Sequence, residues 1–81
     1  MDRNAEVENI IKLVWEALSV QGYSPINQLI GYIISGDPTY ITSYLGARVA
    51  IMKVERDELL ECFITNYIEQ LKLEENNHVK R

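Results

Sequence analysis

The apolar residues near the start of the chain recur at the spacing of an amphipathic helix. They fill the i, i+3, i+4, i+7, i+8 and i+11 positions of one series, which are Val7, Ile10, Ile11, Val14, Trp15 and Leu18. Asn4 is suited to the N-cap of this helix, and Gly22 is suited to its C-terminal stop. The pattern predicts a first helix over residues 5 to 21.

The second apolar run, from Ile26 to Ile34, is apolar on nearly all sides and rich in β-branched residues. That pattern alone is also compatible with a buried strand. Ser24-Pro25 is an N-cap followed by proline at the first helical position, and Gly36 is a stop, so a buried helix ending at residue 35 is favoured. Gly31 within it costs about 1 kcal/mol relative to alanine, so we expect a backbone or a ring to lie close to it.

The chain after this run begins with a second pairing of a capping residue and proline. Asp37-Pro38 predicts a short helical turn over residues 38 to 43. Three side chains in and beside the turn can pack it back on the core: Tyr40, Ile41 and Tyr44. Gly46 ends the turn, and a further helical stretch is predicted from residue 47 to residue 54.

A long amphipathic helix is predicted after the acidic residues 55 to 58, whose charges suit a helix N-terminus. Its apolar positions run from Leu59 to Leu71, and it ends near Lys72. We expect a kink or short break near residues 54 to 56, and one continuous helix from residue 47 is the alternative. The residues after 73 have no apolar period, so we expect a single domain over 1–73 followed by a frayed tail over 74–81.

The length of 81 residues limits the core that the chain can form. One core of this size rarely contributes more than about 3–5 kcal/mol of stability. Cys62 is the only cysteine and His78 the only histidine, so neither a disulfide framework nor a zinc site can add to it. The expected fold is therefore all-α, a compact bundle of four to five helices that forms a homodimer through the second and last helices.

The charge balance restricts the partners of the protein. Eight Lys and Arg residues stand against twelve Asp and Glu residues, for a net charge of -4. Nucleic acids and anionic membrane surfaces are bound through clustered basic residues, so we expect no nucleic acid and no membrane partner. No apolar run approaches the ~20 residues that span a bilayer, and the N-terminus lacks the pattern of a signal peptide, so we expect a cytoplasmic protein.

The sequence offers no set of residues that is typical of catalysis. The usual general base, histidine, occurs only as His78 in the predicted tail. Cys62 lies beside apolar neighbours, which favours a packed side chain over a reactive thiol. The carboxylates at 55, 57, 58 and 61 favour a solvated helix start over acid–base or metal chemistry. We therefore expect no enzyme activity and no cofactor.

Gly31 and Gly36 have the separation of the glycines in a phosphate-binding loop. Such a loop needs Lys and then Ser or Thr as its next residues, whereas Asp37-Pro38 follow here. A carboxylate at that place repels phosphate. Packing and a helix cap therefore explain the two glycines better than a phosphate site does.

Three basic residues are the least well explained by folding alone: Arg48, Lys53 and Arg56. On one straight helix, at about 100° per residue, they fall within roughly 140° and could share a face near the turn that contains Asp37 and Tyr40. These five residues are the candidate partner-binding site. A solvated face is one alternative, and pairs within the chain are another, with Asp37, Asp57 and Glu61 as the acidic partners.

Three segments of the chain form a specific set of motifs at a fixed spacing: GYSPINQ at 22–28, SGDPTYI at 35–41 and ARVAIMKVERDE at 47–58. In these segments the chain resembles the IreB/ReoM family of small regulatory proteins from Gram-positive bacteria. The similarity extends weakly through the last helix, so it covers residues 22 to 70. The first helix agrees with the family only in pattern.

The resemblance implies an all-helical homodimer without enzymatic activity in the cytoplasm of a Gram-positive bacterium. Proteins of this kind are substrates of membrane serine/threonine kinases with extracellular PASTA repeats. They couple the state of the kinase to cell-wall synthesis through Clp-dependent proteolysis of MurA, the first committed enzyme of peptidoglycan precursor synthesis. The implied partners are a second copy, a Ser/Thr kinase, Clp protease components and MurA. A generic dimeric interaction module with another client and a small ligand-binding protein are the alternatives.

Two departures from the family concern its switch and one loop. The family has a phosphoacceptor threonine ahead of the first helix, whereas residues 1 to 18 here contain no Ser or Thr, and Ser19 lies within the predicted helix. Residues 44–46 are also more apolar than the polar stretch of the family at that place. The hydroxyls left for a kinase lie in the predicted turn, at Thr39, Thr42 and Ser43. Thr42 and Ser43 are the best placed of the three.

Overall fold

The computed structural model describes residues 2–73 of the chain. Within them, the order of elements is α1 (Arg3–Val20), α2 (Pro25–Ser35), a 3₁₀ turn (Pro38–Tyr40), a second 3₁₀ turn (Tyr44–Gly46), α3 (Ala47–Ile51) and α4 (Arg56–Leu71). No strand occurs in this part of the chain, so the all-helical prediction is confirmed. The predicted tail over 74–81, with His78, lies outside the described residues.

Helix α1 begins earlier than the sequence pattern indicated. Its N-cap is Asp2, whose carboxylate accepts a hydrogen bond of 2.8 Å from the backbone N–H of Ala5, so the prediction of Asn4 as the cap is wrong. Asp caps a helix as well as Asn does, and its negative charge also suits the positive end of the helix dipole. At the other end Gly22 has φ +86°, which confirms it as the stop.

Helix α2 has the bounds that its capping residues predict. The Ser24 hydroxyl accepts a hydrogen bond of 3.4 Å from the Asn27 N–H, and Gly36 ends the helix in the left-handed conformation with φ +74°. The prediction of a buried helix is wrong for one of its faces. Only Leu29 and Tyr32 are buried, because α2 packs at the edge of the fold and covers one side alone. Three isoleucines stay exposed: Ile26, Ile30 and Ile34.

The chain between α2 and α3 is more irregular than the predicted turn over 38 to 43. The 3₁₀ turn after Asp37 ends at Tyr40, and the chain then extends before the second 3₁₀ turn. Ile41 is fully buried as expected, whereas Tyr40 and Tyr44 are 40% and 42% exposed. Leu45 and Gly46 both adopt left-handed conformations, with φ +58° and +71°, and they redirect the chain into α3.

The predicted break before the last helix is confirmed. Helix α3 ends at Ile51, three residues before the predicted end, and α4 begins at Arg56, so the alternative of one continuous helix from residue 47 is wrong. The N–H of Glu55 donates to the Glu58 carboxylate at 3.0 Å, which caps a new helix start at this place.

The core lies where α1 meets α3 and the N-terminal half of α4. Its fully buried members come from α1, α3, α4 and the chain between the two 3₁₀ turns, and they are Val14, Ala17, Leu18, Ile41, Ala47, Ile51 and Leu59. Helices α1 and α4 run in the same direction, since Arg3 contacts Glu58 at their N-termini and Glu8 lines the same cleft as Cys62 one turn further on. This packing buries Ile41 but leaves most of the segment after α2 at the surface.

Candidate docking surface

The turn after α2 is fixed against that helix by a ring and a side-chain amide. The Tyr40 ring lies over Gly31, where a Cβ atom would be 2.6 Å from Tyr40 Cδ1. The Gln28 side-chain amide donates to the Tyr40 carbonyl at 2.9 Å. The expectation that a ring approaches Gly31 is therefore confirmed, and this contact positions the candidate residue Tyr40.

Asp37 caps the turn. One oxygen of its carboxylate accepts from the Thr39 N–H at 3.0 Å and from the Thr39 hydroxyl at 2.7 Å. These two bonds, with a smaller contribution from the positive charge of Arg48, hold the pKa of Asp37 below its usual value. Asp37 is therefore a negative group at neutral pH, and one of its two carboxylate oxygens is used within the turn.

Arg48 and Arg56 hold backbone carbonyls on either side of Asp37. Half-buried Arg48 donates from Nε to the Ile41 carbonyl at 2.8 Å, and Arg56 donates from Nη1 to the Ile33 carbonyl at 2.9 Å. A Cβ atom at Gly36 would lie 2.9 Å from the guanidinium carbon of Arg56. Glycine is thus needed at position 36 to end the helix and to leave room for Arg56. Since Gly31 makes room for Tyr40, both glycines are explained without a phosphate site.

The three basic candidates do not share one helix face, because the break after Ile51 separates them. Arg48 lies in α3, Arg56 begins α4, and Lys53 is exposed in the turn between the two helices. The alternative of ion pairs with Asp57 or Glu61 is not seen either. Within residues 2–73 both ion pairs belong to Arg3, and the two arginines of the candidate site are engaged with carbonyls instead.

The three candidate phosphoacceptors differ in their hydrogen bonds. The Thr39 hydroxyl donates to Asp37, and the Thr42 hydroxyl accepts from the Tyr44 N–H at 3.2 Å. Ser43 is exposed and makes no capping hydrogen bond, although it precedes the second 3₁₀ turn. Ser43 is therefore the most accessible of the three hydroxyls.

Sequence reasoning missed Arg3, which joins the two ends of the fold. Its guanidinium forms a two-point contact with the Glu58 carboxylate, at 2.9 and 2.8 Å, and also donates to the Lys53 carbonyl at 3.0 Å. The hydrogen bonds to Glu58 and Glu6 raise the pKa of Arg3, and the bond from Arg3 lowers the pKa of Glu58 to about 2. One signal was available, since a cation in the first turn of a helix is unfavourable unless it has a partner.

A sequence model of the IreB regulatory phosphoprotein family matches residues 1–69. The chain belongs to the IreB family. It is 52% identical over 75 residues to a UPF0297 protein of Lachnoclostridium phytofermentans, an alignment that covers 93% of this chain and 77% of the relative. It is 55% identical over 65 residues to a UPF0297 protein of Acetivibrio thermocellus, with 80% and 72% covered. The match to IreB includes the first helix, where residue patterns alone had indicated only general agreement.

The contacts above explain what several residues of the IreB motifs do. Gln28, Tyr40, Arg48 and Arg56 lie in the three motif segments, and each holds another part of the same surface. This IreB protein therefore uses much of its motif to fix the turn after α2. None of the helices within residues 2–73 is both long and apolar enough to cross a bilayer.

A cleft of about 510 Å³ lies between α1 and α4. Four glutamates and the buried Cys62 are among the residues that line it. Cys62 belongs to the buried core, which confirms the interpretation as a packed side chain. Burial raises the pKa of its thiol, and the nearby Glu8 carboxylate raises it further. Within the described residues, no group of three or more His, Cys, Asp and Glu side chains could hold a metal ion.

Proposed function

We propose that this protein is a non-enzymatic regulatory adaptor that links a PASTA-type Ser/Thr kinase to the control of peptidoglycan synthesis. In this proposal it acts in the cytoplasm and changes the Clp-dependent turnover of MurA. The observation that carries the proposal is the match of the IreB regulatory phosphoprotein family over residues 1–69. The relatives at 52% and 55% identity support the same assignment.

The proposed docking site is the surface around the end of α2. Arg48 and Arg56 are held there by their bonds to backbone carbonyls, and Tyr40 by its contact with Gly31. Asp37 is held by the two bonds that it accepts from Thr39. A rigid surface loses little conformational entropy on binding, which favours recognition by a client. Lys53 contributes an exposed positive charge from the turn before α4.

The adaptor is proposed to be a homodimer. The exposed isoleucines of α2 recur at i, i+4 and i+8, and α4 has a second exposed apolar series at Leu60, Ile64, Tyr67 and Leu71. The bond from Arg56 to Ile33 shows that the start of α4 and the end of α2 are neighbours. Apolar surface on this scale favours burial against a second copy.

A reconstituted turnover assay tests the function. Purified MurA and the Clp protease of the native host are incubated with and without the protein, and the half-life of MurA is measured. The proposal predicts a change in half-life that requires the protein. If MurA turnover is unaffected while affinity purification from the host retrieves a different client, the chain is an interaction module of another pathway.

The matched controls concern the docking surface. Arg48→Lys keeps the positive charge but removes the planar group that bonds the Ile41 carbonyl. Lys12→Ala removes an exposed charge from α1 that lies beside Phe63 and Asn66 of α4 instead. The first substitution is expected to weaken the effect on MurA, and the second to leave it unchanged. Thermal melts run in parallel separate a loss of docking from a loss of fold.

A further inference from the structure

The turn that joins α3 to α4 is held by a side chain of α1. The Arg3 guanidinium, at the first residue of α1, donates to the Lys53 carbonyl within that turn at 3.0 Å. The same guanidinium makes the two-point contact with the Glu58 carboxylate, at 2.9 and 2.8 Å. One residue of α1 thus contacts both the turn and the first helical turn of α4.

The Glu58 carboxylate connects this contact to the backbone at the start of α4. Its Oε1 atom accepts from Arg3 and also, at 3.0 Å, from the backbone N–H of Glu55, the N-cap residue. A two-point contact between arginine and a carboxylate fixes the orientation of the carboxylate as well as its distance. The bond to Glu55 therefore fixes the direction of the backbone just before Arg56, the first residue of α4.

Arg56 extends from that start to the end of α2. Its Nη1 donates at 2.9 Å to the carbonyl of Ile33, which lies in the last turn of α2, where carbonyls lack a partner within the helix. Arg56 is exposed, and its guanidinium carries further N–H donors in a fixed fork that can meet a client. A change of direction at the start of α4 moves the end of this long side chain farther than it moves the backbone.

Apolar packing holds the same region in the core without setting this direction. Val54 and Leu59, on either side of the helix start, are buried. Apolar burial is non-directional, whereas a two-point polar contact has a defined orientation. Arg3 supplies both ion pairs within residues 2–73, and the pair with Glu58 is the one that joins α1 to α4.

We propose that Arg3 is a positioning residue of the docking surface, and that it acts through Glu58 on the direction of Arg56. Arg3 has no contact with the client in this proposal. The proposal rests on the adaptor role, and it adds a residue of α1 to the surface around the end of α2. Loss of Arg3 should weaken docking, and that loss should depend on Arg56.

An NMR measurement on the free protein tests the geometry. The chemical shift of the Ile33 carbonyl carbon reports the bond that this carbonyl accepts from Arg56. Arg3→Ala should move this shift in the same direction as Arg56→Ala does. Glu6→Gln, which removes the charge of the other acidic partner of Arg3 and keeps Glu58, should leave the shift unchanged. An unchanged Ile33 shift in Arg3→Ala would overturn the proposal.

A second set of variants separates a loss of position from a loss of stability. Val14→Ala removes buried methyl groups from α1 about three turns beyond Arg3. It should lower the melting temperature at least as much as Arg3→Ala does, because a cavity in the core costs more than a partly exposed ion pair. Below that temperature it should leave the Ile33 shift unchanged. The same change of shift in both variants would show a general loosening of the fold and would contradict the proposal.

Arg3→Lys gives the measurement if Arg3→Ala does not fold. Lysine keeps the positive charge but cannot make the two-point contact with Glu58. It should therefore move the Ile33 shift in the same direction as Arg56→Ala, by a smaller amount. A wild-type shift in this variant would mean that charge alone is enough, and the role of the two-point contact would be rejected.

The MurA assay tests the consequence for docking. The measured quantity is the protein concentration that gives half of the full change in MurA half-life. Arg3→Ala should raise it about twofold or more, which corresponds to the ~0.5 kcal/mol at the lower end of couplings within one hydrogen-bond network. In an Arg56→Ala background the same substitution should add little, because the side chain that it directs is absent. Equal effects in the two backgrounds would contradict the positioning role.

These measurements separate the positioning role from the adaptor role. If MurA turnover does not respond to the wild-type protein, the adaptor role fails, whereas the Ile33 shift still decides whether Arg3 directs Arg56. If the wild type changes the turnover of MurA and Arg3→Ala acts like the wild type, the adaptor role stands and the positioning role is wrong.

Discussion

At the residue scale, the Tyr40 ring occupies the space that a side chain at position 31 would need. Gly31→Ala improves helix propensity by about 1 kcal/mol, but it places a methyl group within the ring. We expect a net loss in the free energy of unfolding of about 1–3 kcal/mol, as for other substitutions that overpack a contact. Urea denaturation followed by circular dichroism measures this loss.

A double-mutant cycle gives the control. In a Tyr40→Ala background the ring is absent, so Gly31→Ala should be neutral or should stabilise the protein by up to about 1 kcal/mol. Gly31→Ala then lowers the free energy of unfolding only when the Tyr40 ring is present, which is the result expected of a steric clash. The same destabilisation in both backgrounds would contradict the assignment of Tyr40 as the cause.

Ser43 is the predicted phosphoacceptor if a PASTA-type kinase modifies this protein. Its hydroxyl is exposed, whereas the hydroxyls of Thr39 and Thr42 are held by Asp37 and by the Tyr44 N–H. Incubation with the kinase followed by fragment mass spectrometry should place the phosphate at Ser43, and Ser43→Ala should abolish it. A phosphate at Ser19 or Ser24, both within or capping a helix, would contradict the prediction.

At the scale of elements, the contact between Arg3 and Glu58 predicts a loss of stability in acid. Folding lowers the pKa of Glu58 from its usual value of 4.5 to about 2. The contribution to stability is therefore complete above that usual value and is lost as the pH falls towards 2, because the unfolded chain takes up the proton first. Thermal melts of the wild type should show this loss between about pH 5 and pH 2.

Two substitutions isolate that contact. Glu58→Gln should lower the melting temperature at pH 7. Between about pH 5 and pH 2, the melting temperature of this variant should fall less than that of the wild type. Glu61→Gln, three residues further along α4 and outside the contact with Arg3, serves as the matched control and should keep the acid dependence of the wild type. If both variants retain the full dependence, the contact does not stabilise the fold.

The helices that the sequence predicted best are those with local end signals. The bounds of α2 are set by Ser24, Pro25 and Gly36, whose hydrogen bonds go to residues at most four positions away. The local sequence is therefore enough to predict where this helix begins and ends. The exposed face of α2 could not be predicted in the same way. Whether an isoleucine is buried depends on which other helices pack against it, and that is a property of the whole fold.

The candidate site was predictable in residue type but not in geometry. The motif spacing singled out Arg48 and Arg56, yet their partners are the carbonyls of Ile41 and Ile33, which carry no side-chain signal. The contact between Arg3 and Glu58 spans 55 positions, and a single sequence does not show which acidic residue Arg3 meets. The sequence pattern therefore did not predict the long-range polar contacts of the site.

At the scale of the whole molecule, the exposed faces of α2 and α4 predict a homodimer. Light scattering at low micromolar concentration should give twice the 9.4 kDa mass of one chain. Ile34→Glu places a charge on the most exposed isoleucine, with 78% of its surface accessible, and should yield a monomer that still folds. Val20→Glu at the end of α1 is the matched control and should remain a dimer. A wild-type protein with the mass of one chain would contradict this prediction.

The long separation between Arg3 and Glu58 also determines when the protein can fold during translation. The two residues are 55 positions apart, and a ribosome adds about 5–20 residues per second, so Arg3 is made roughly 3–11 s before its partner. During that interval the apolar face of α1, with Val14 and Leu18, has neither α3 nor α4 to cover it. The apolar face of α1 is therefore covered by its native neighbours only after the ribosome has made α3 and the first turns of α4.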